Sequence, residues 1–221
     1  GITDSNGFWV YYVCLRDFST VTPTTGLVTS TTTSATTTGN SSSNSPQISR
    51  DGSRVVYLSS ATDLETGVMD VNSTALDLVV FNVSGTTNQY ISVETTAAST
   101  GNAGSIRTNQ SLSLLASADG RYEVFTSSAS DLVPGDLNGG TSDVFLRDLL
   151  TGAVTLISRT AGGGSANNAS EAAVISADGD FVAFHSSATN LDVTGTNSTS
   201  GYPQIYRWER GTGDIVLASP N

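Results

Sequence analysis

The stretch Ser117–Leu132, SADGRYEVFTSSASDL, is written three times in this chain: Ser176–Leu191 reads SADGDFVAFHSSATNL and Ser49–Leu64 reads SRDGSRVVYLSSATDL. Each copy places Asp-Gly before an apolar run that ends in Ser-Ser. Asp-Gly beside such runs is a hairpin signal, because both residues tolerate the backbone angles of a sharp reversal. Val, Phe and Tyr in the runs suit a pleated surface. The sixteen residues therefore read as two antiparallel strands and the turn between them.

Aligning outward lengthens the repeat. A polar loop follows each copy, then a short strand: Asp77–Asn82 (DLVVFN), Asp143–Asp148 (DVFLRD) and Gln204–Glu209 (QIYRWE). A glycine turn and a fourth strand close the unit (NQYISVE, AVTLISR, DIVLASP). The period, taken from Gly52, Gly120 and Gly179, is 68 and then 59 residues. Val13–Phe18 (VCLRDF) and Thr24–Thr31 match the second half of a unit. The segment 29–45 is expected to begin in a fourth strand and continue as a loop into the next unit.

The expected fold is all-β: a β-propeller of four-stranded antiparallel blades. A half blade is assigned to 1–45 and complete blades to 46–110, 111–172 and 173–221. The pattern S-x-D-G-x-x-x-x-F, then SSAxxL, DVFLRDLLTG and a closing strand, resembles the TolB-like, WD-like propeller repeats of bacterial periplasmic and secreted proteins. The resemblance covers nearly the whole chain. It implies a fold and no single function, since such propellers serve as platforms, scaffolds and enzyme accessories. Propellers close with about four to eight blades. Further blades from the same polypeptide, or self-assembly with partner chains, are therefore expected to complete the ring; open flanks would expose sheet edges.

Composition bounds the partners. Only 13% of the 221 residues are charged, the net charge is −11, and Ser, Thr, Asn and 22 Gly carry the polarity. Such a chain repels nucleic acid and anionic membranes, so neither is expected as a partner. No apolar stretch approaches the roughly 18 residues of a membrane-spanning helix. The Lys-free, Ser/Thr/Asn-rich composition points to an extracellular, cell-surface or periplasmic setting. Cys14 is the lone cysteine, which precludes an internal disulfide. It aligns with the apolar positions Val79 and Phe145 and is expected to be buried and inert.

In a propeller, the loops from strand two to three and from strand four to the next blade share one face. Here these are the long ones: 63–77, 131–143, 190–204, 94–111 and 160–172. A protein or glycan partner is expected there. One spacing recurs within them, Asp70, Asn72 and Asp77 against Asp136, Asn138 and Asp143. Asp4–Gly7 begins similarly, whereas the last loop has Gly195, Asn197 and Gln204. Oxygens alternating along a tight turn suit a structural calcium. The competing reading is a loop of Asx turns, in which these side chains satisfy their own backbone. Six N-x-S/T sequons open at Asn40, Asn72, Asn82, Asn109, Asn168 and Asn197. Asn40, Asn109, Asn168 and Asn197 fall in expected loops and are the glycosylation candidates.

No catalytic constellation stands out. His185 is the only histidine and ends a second strand, with no nucleophile elbow anywhere. Glu94, Glu123 and Glu171 are the carboxylates open to a glycosidase role, and all read as surface charges. Arg16–Asp17 and Arg147–Asp148 read as exposed ion pairs or ties between blades. Asp51, Asp119 and Asp178 read as turn residues. The functional expectation is a non-enzymatic extracytoplasmic scaffold or interaction module within a larger surface or secreted protein or assembly. The alternatives are the propeller domain of a secreted polysaccharide- or peptide-active enzyme, and a lectin-like propeller using Phe8, Trp9 and Tyr202.

Overall fold

The computed structural model describes residues 2–4, 10–19, 21–49, 51–96, 98–106, 115–191 and 202–219. They contain strands and no helix. A two-stranded sheet pairs β1 (Cys14–Asp17) with β2 (Thr24–Leu27), the half unit read from the repeat. Next comes a small hairpin, β3 (Ser30–Thr31) and β4 (Ser34–Thr38), where a plain loop was expected. Three four-stranded antiparallel sheets follow. The first holds β5 (Ser43–Ile48), β6 (Arg54–Ser59), β7 (Asp77–Asn82) and β8 (Thr87–Tyr90). The second holds β9 (Ser105–Ile106), β10 (Tyr122–Ser127), β11 (Asp143–Asp148) and β12 (Val154–Leu156). The third holds β13 (Ser170–Ile175), β14 (Phe181–Ser186), β15 (Gln204–Glu209) and β16 (Ile215–Leu217). In each, neighbours in sequence are neighbours in the sheet, the up-and-down order of a propeller blade.

Each sheet starts earlier than the repeat suggested, at Ser43, Ser105 and Ser170 rather than at 46, 111 and 173. Each of these first strands opens on a serine, and those of the first and third sheets are interrupted. The ladder slips between Asn44 and Gln47, and again between Glu171 and Val174. Ser45 and Ala172 take positive φ there, of 52° and 53°. A bulged, polar strand carries little apolar alternation, which is why its start is hard to read.

The thrice-written motif is a hydrogen-bonded unit. The N–H groups of Gly52, Gly120 and Gly179 donate to the carbonyls of Ser49, Ser117 and Ser176, each at 2.9 Å. Those glycines hold φ of 73°, 66° and 76°. The same serines accept from Arg54, Tyr122 and Phe181 N–H through Oγ. The aspartates accept from the N–H two residues on, at 3.0 Å in all three turns. At the other end, Ser59, Ser127 and Ser186 are fully buried. Each accepts the N–H of the alanine two residues later and bonds to a serine of the first strand, Ser43, Ser105 or Ser170. Both repeated elements therefore satisfy backbone.

Side chains alternate across each sheet, and both sides are apolar where sheets meet. Val56 and Leu58 face Phe125, Phe145 and Leu156 of the second sheet. Val55, Tyr57 and Val79 face Val13 and Val28 of the half unit. Val124, Val144 and Leu146 face Phe184, Tyr206 and Trp208 of the third. The third sheet's other side carries Phe181, Ala183, His185 and Arg207, all half-buried or exposed. His185 thus lies on a partly open strand face.

Three expectations are corrected. Cys14 is exposed, because its position points away from the first sheet and no sheet covers that side among the described residues. Glu123 is 1% exposed and lies opposite Arg147 across the β10–β11 ladder, so it is no surface charge. Arg147 is likewise 1% exposed, occupying the layer where the third sheet has Trp208 and the first has Phe81. Burial holds its guanidinium below the usual arginine range, partly offset by the charges of Glu65 and Asp148. Asp148 pairs instead with Arg121, in two parallel bonds of 3.0 and 2.7 Å.

Arginines tie adjacent sheets on the tight-turn face. Arg54 Nη1 donates to Gly120 O, Arg159 Nη2 to Gly213 O at 2.7 Å, and Arg210 Nη1 to Tyr122 Oη at 3.0 Å. Gly179 packs so closely that a Cβ there would sit 2.6 Å from Tyr122 Cδ2. Gly179→Ala should combine this clash with strain at positive φ and cost about 1–3 kcal/mol in urea denaturation. Arg121 holds the Asp148 carboxyl well below the usual carboxylate range, helped by the Leu150 and Thr151 N–H groups. A depressed folded-state value stabilises above the unfolded value, about 4, and that contribution is lost as pH falls below it. Asp148→Asn should therefore be less stable than the parent at pH 6, with the gap closing towards pH 2, as followed by urea midpoints across that range.

Candidate functional site

The long loops of one face are held by the same devices in each sheet. Asn40, Asn102 and Asn167 each clasp the loop after the second strand. Their Oδ1 atoms accept from Thr62, Ser130 and Thr189 N–H at 2.9–3.0 Å. Their Nδ2 atoms donate to the hydroxyls of those three residues. The glycosylation candidate Asn40 thus has its amide engaged with Thr62 Oγ1 at 2.8 Å. Asn168 is exposed, its Oδ1 accepting from Ala169 N–H. Asn109 and Asn197 lie outside the described residues.

A second device sits where the third strand begins. The hydroxyls of Ser92, Ser158 and Ser219 accept the N–H of Leu78, Val144 and Ile205, each at 3.0 Å. The same hydroxyls donate to Asp77, Asp143 and Gln204, at 2.9, 2.6 and 2.9 Å. Asp77 and Asp143 are wholly buried. Burial pushes both carboxyls up to about 7, against the lowering effect of the serine and of Asn72 or Asn138. The charges of Asp70 and Asp136 add to the rise.

The structure brings together both trios singled out by spacing. Asn72 Nδ2 reaches the Asp77 carboxylate at 3.2 and 3.3 Å and Gly101 O at 2.7 Å. Asn138 Nδ2 reaches Asp143 Oδ2 at 2.7 Å and Ala166 O at 2.9 Å. Asp70 Oδ1 caps the turn by accepting from Asn72 and Ser73 N–H, both at 2.9 Å. Ser165 plays the part of Thr100: its Oγ accepts from Leu137 and Asn138 N–H, as Thr100 Oγ1 does from Val71 N–H. Burial raises the Asp136 carboxyl as well, with the Ser165 hydroxyl opposing. The Asx turns are thus real, and they leave part of each trio unused. Among the described residues, no three His, Cys, Asp or Glu side chains group closely enough to hold a metal. Each trio offers two aspartates and an amide. Asp4 begins the similar N-terminal run, whose residues 5–9 lie outside the described residues.

Glu94, Glu123 and Glu171 are not brought together as an acid–base pair. Glu123 lies in β10 and Glu171 in β13, whereas Glu94 lies in the loop after β8 and accepts from Ser99 Oγ at 2.7 Å. Sequence reasoning missed a cleft of about 600 Å³ on the tight-turn side, between the second and third sheets. Tyr122, Asp148, Arg159, Trp208 and Arg210 line it, with the Arg210 guanidinium 4.4 Å from the Tyr122 ring centroid. Across the cleft these residues stand about 50–90 positions apart in sequence, and no local motif announces them. Ser158→Ala should leave the Val144 N–H and the buried Asp143 carboxyl each short of a partner. The expected loss is about 1–3 kcal/mol in urea denaturation.

No family model matches this chain, and no curated protein does. Solved structures are similar to it. TolB from Acinetobacter baumannii is 22% identical with a TM-score of 0.45, covering 94% of this chain and 38% of that one. A TolB of Agrobacterium tumefaciens is 16% identical with a TM-score of 0.46, covering 79% of this chain and 45% of its own. The β-propeller domain of the Trilobed protease from Pyrococcus furiosus is 12% identical with a TM-score of 0.45, covering 79% and 41%. The chain spans less than half the length of each of these, and its own succession of four-stranded sheets is a propeller-like fold.

Proposed function

We propose that this chain is a non-enzymatic, propeller-like recognition module that works outside the cytoplasm and meets a protein or glycan partner through its long-loop face. The observation that carries this reading is a repeated one. Val71 and Leu137, the residues between Asp and Asn in the two matching turns, are 45% and 82% exposed. Met69 stands out on the first of these loops, and Tyr202 on the corresponding loop of the third sheet. Apolar tips presented at equivalent places on adjacent sheets form a broad contact surface of the kind that mediates association. The acidic charge favours a neutral or basic partner over nucleic acid. The Lys-free, Ser/Thr-rich composition and the resemblance to periplasmic and secreted repeats support the setting.

Photo-crosslinking amino acids placed at Leu137 and at Met69 should give adducts of one common mass in envelope or culture-medium fractions. The same probe at Leu150, whose exposure lies between theirs on the opposite face, should give none. Adducts from Leu150 alone, or from no position, would overturn the assignment of the face.

A further inference from the structure

Four buried oxygen atoms in the two matching loops have no hydrogen-bond donor: Asp70 Oδ2, Asn72 Oδ1, Asp136 Oδ1 and Asn138 Oδ1. They are the same two side chains in each loop. Asp136 is 5% exposed as a residue, so bulk solvent scarcely reaches it. We propose that each loop binds one calcium ion, through Asp70 and Asn72 in the first sheet and through Asp136 and Asn138 in the second. Turn carbonyls and water would complete the roughly six to eight oxygens that calcium takes.

The asparagines cannot relieve the shortage by turning over. Asn72 Nδ2 faces the Asp77 carboxylate and Gly101 O, and Asn138 Nδ2 faces Asp143 Oδ2 and Ala166 O. All of these are acceptors, so a flipped amide would set oxygen against oxygen. The amide oxygens are thereby fixed on the side away from the buried aspartates. Asp70 is fixed in the same manner, because Oδ1 is consumed by two backbone N–H groups and Oδ2 is the atom left over. Unpaired carboxylate and amide oxygens two residues apart on a rigid turn are hard ligands suited to a hard cation. Asp77 and Asp143 act as positioning residues, orienting the ligand amides from behind as outer-shell partners do.

The third sheet supplies an internal contrast. It keeps the serine latch, with Ser219 Oγ donating to Gln204. A neutral amide therefore serves the latch, which does not itself require a buried carboxylate. In that loop the leading aspartate is also absent, Gly195 standing in its place. The two buried carboxylates occur where the leading carboxylate and amide ligand occur as well.

Calorimetric titration of the chelator-stripped chain with calcium chloride should give two ions bound per chain, with dissociation constants on the order of 10⁻⁴ M. Five millimolar calcium should raise the melting temperature by about 5 °C or more. Asp70→Asn and Asp136→Asn should each lose one of the two equivalents, while Asp214→Asn on the tight-turn face keeps both. Absence of binding by the folded parent at 5 mM calcium would overturn the proposal outright. So would an unchanged stoichiometry in both loop variants. If a loop variant does not fold, the parent's stoichiometry and the other variant still decide, and one or no ion in the parent counts against the repeated site.

Discussion

A four-stranded sheet with apolar side chains on both faces has to be covered twice, and that requirement organises this molecule. Val124 and Phe125 are neighbours in one strand, yet they belong to different interfaces. The same holds for Val55 and Val56. The first and second sheets are thus each a shared wall between two cores, and stability is a property of adjacent sheets rather than of any one. Phe125 and Phe145 stack at 5.6 Å within one sheet and Phe184 and Tyr206 at 5.8 Å in the next, at matching places. A buried aromatic in these layers contributes several kcal/mol, about 3–5 by truncation.

The two ends of the sheets are secured by different chemistry. On the tight-turn face, arginines cross from one sheet to a turn carbonyl or tyrosine of the next, and glycines let the turns approach closely. On the other face, asparagine clasps and serine latches hold long loops down while tip residues such as Val71 and Leu137 stay exposed. The asymmetry has a physical origin. Short turns satisfy their few polar groups internally, whereas a long loop needs side chains to supply the partners its backbone lacks. Recognition and ion binding are accordingly proposed on the side where backbone is plentiful and polar side chains are already ordered.

Much of the fold was legible because the repeat is written in residues with fixed conformational duties. Ser-x-Asp-Gly encodes a turn, Ser-Ser-Ala encodes a strand exit, and the apolar runs encode the inner strands. The first strand of each sheet was harder to place, since a bulge in the first and third sheets breaks the period of two. The two aspartate–asparagine trios were found by spacing alone, because equivalent places in a repeat point to equivalent places in space. Arg147, Glu123 and the cleft beside Trp208 were not found. Their character depends on what the neighbouring sheet sets against them, and residue type alone suggests an exposed charge.

The sequence by itself determined the strand order of the repeated sheets, their turns and the place of the long loops, because those follow from local backbone preferences repeated in register. Tertiary structure alone decided which side chains are shared between sheets, that Cys14 faces outward while Arg147 is enclosed, and that four loop oxygens are left without donors. Each of these is a balance of partners across space. A hydrogen-bond partner or an apolar wall contributed from 29 or more residues away leaves no trace in the local pattern.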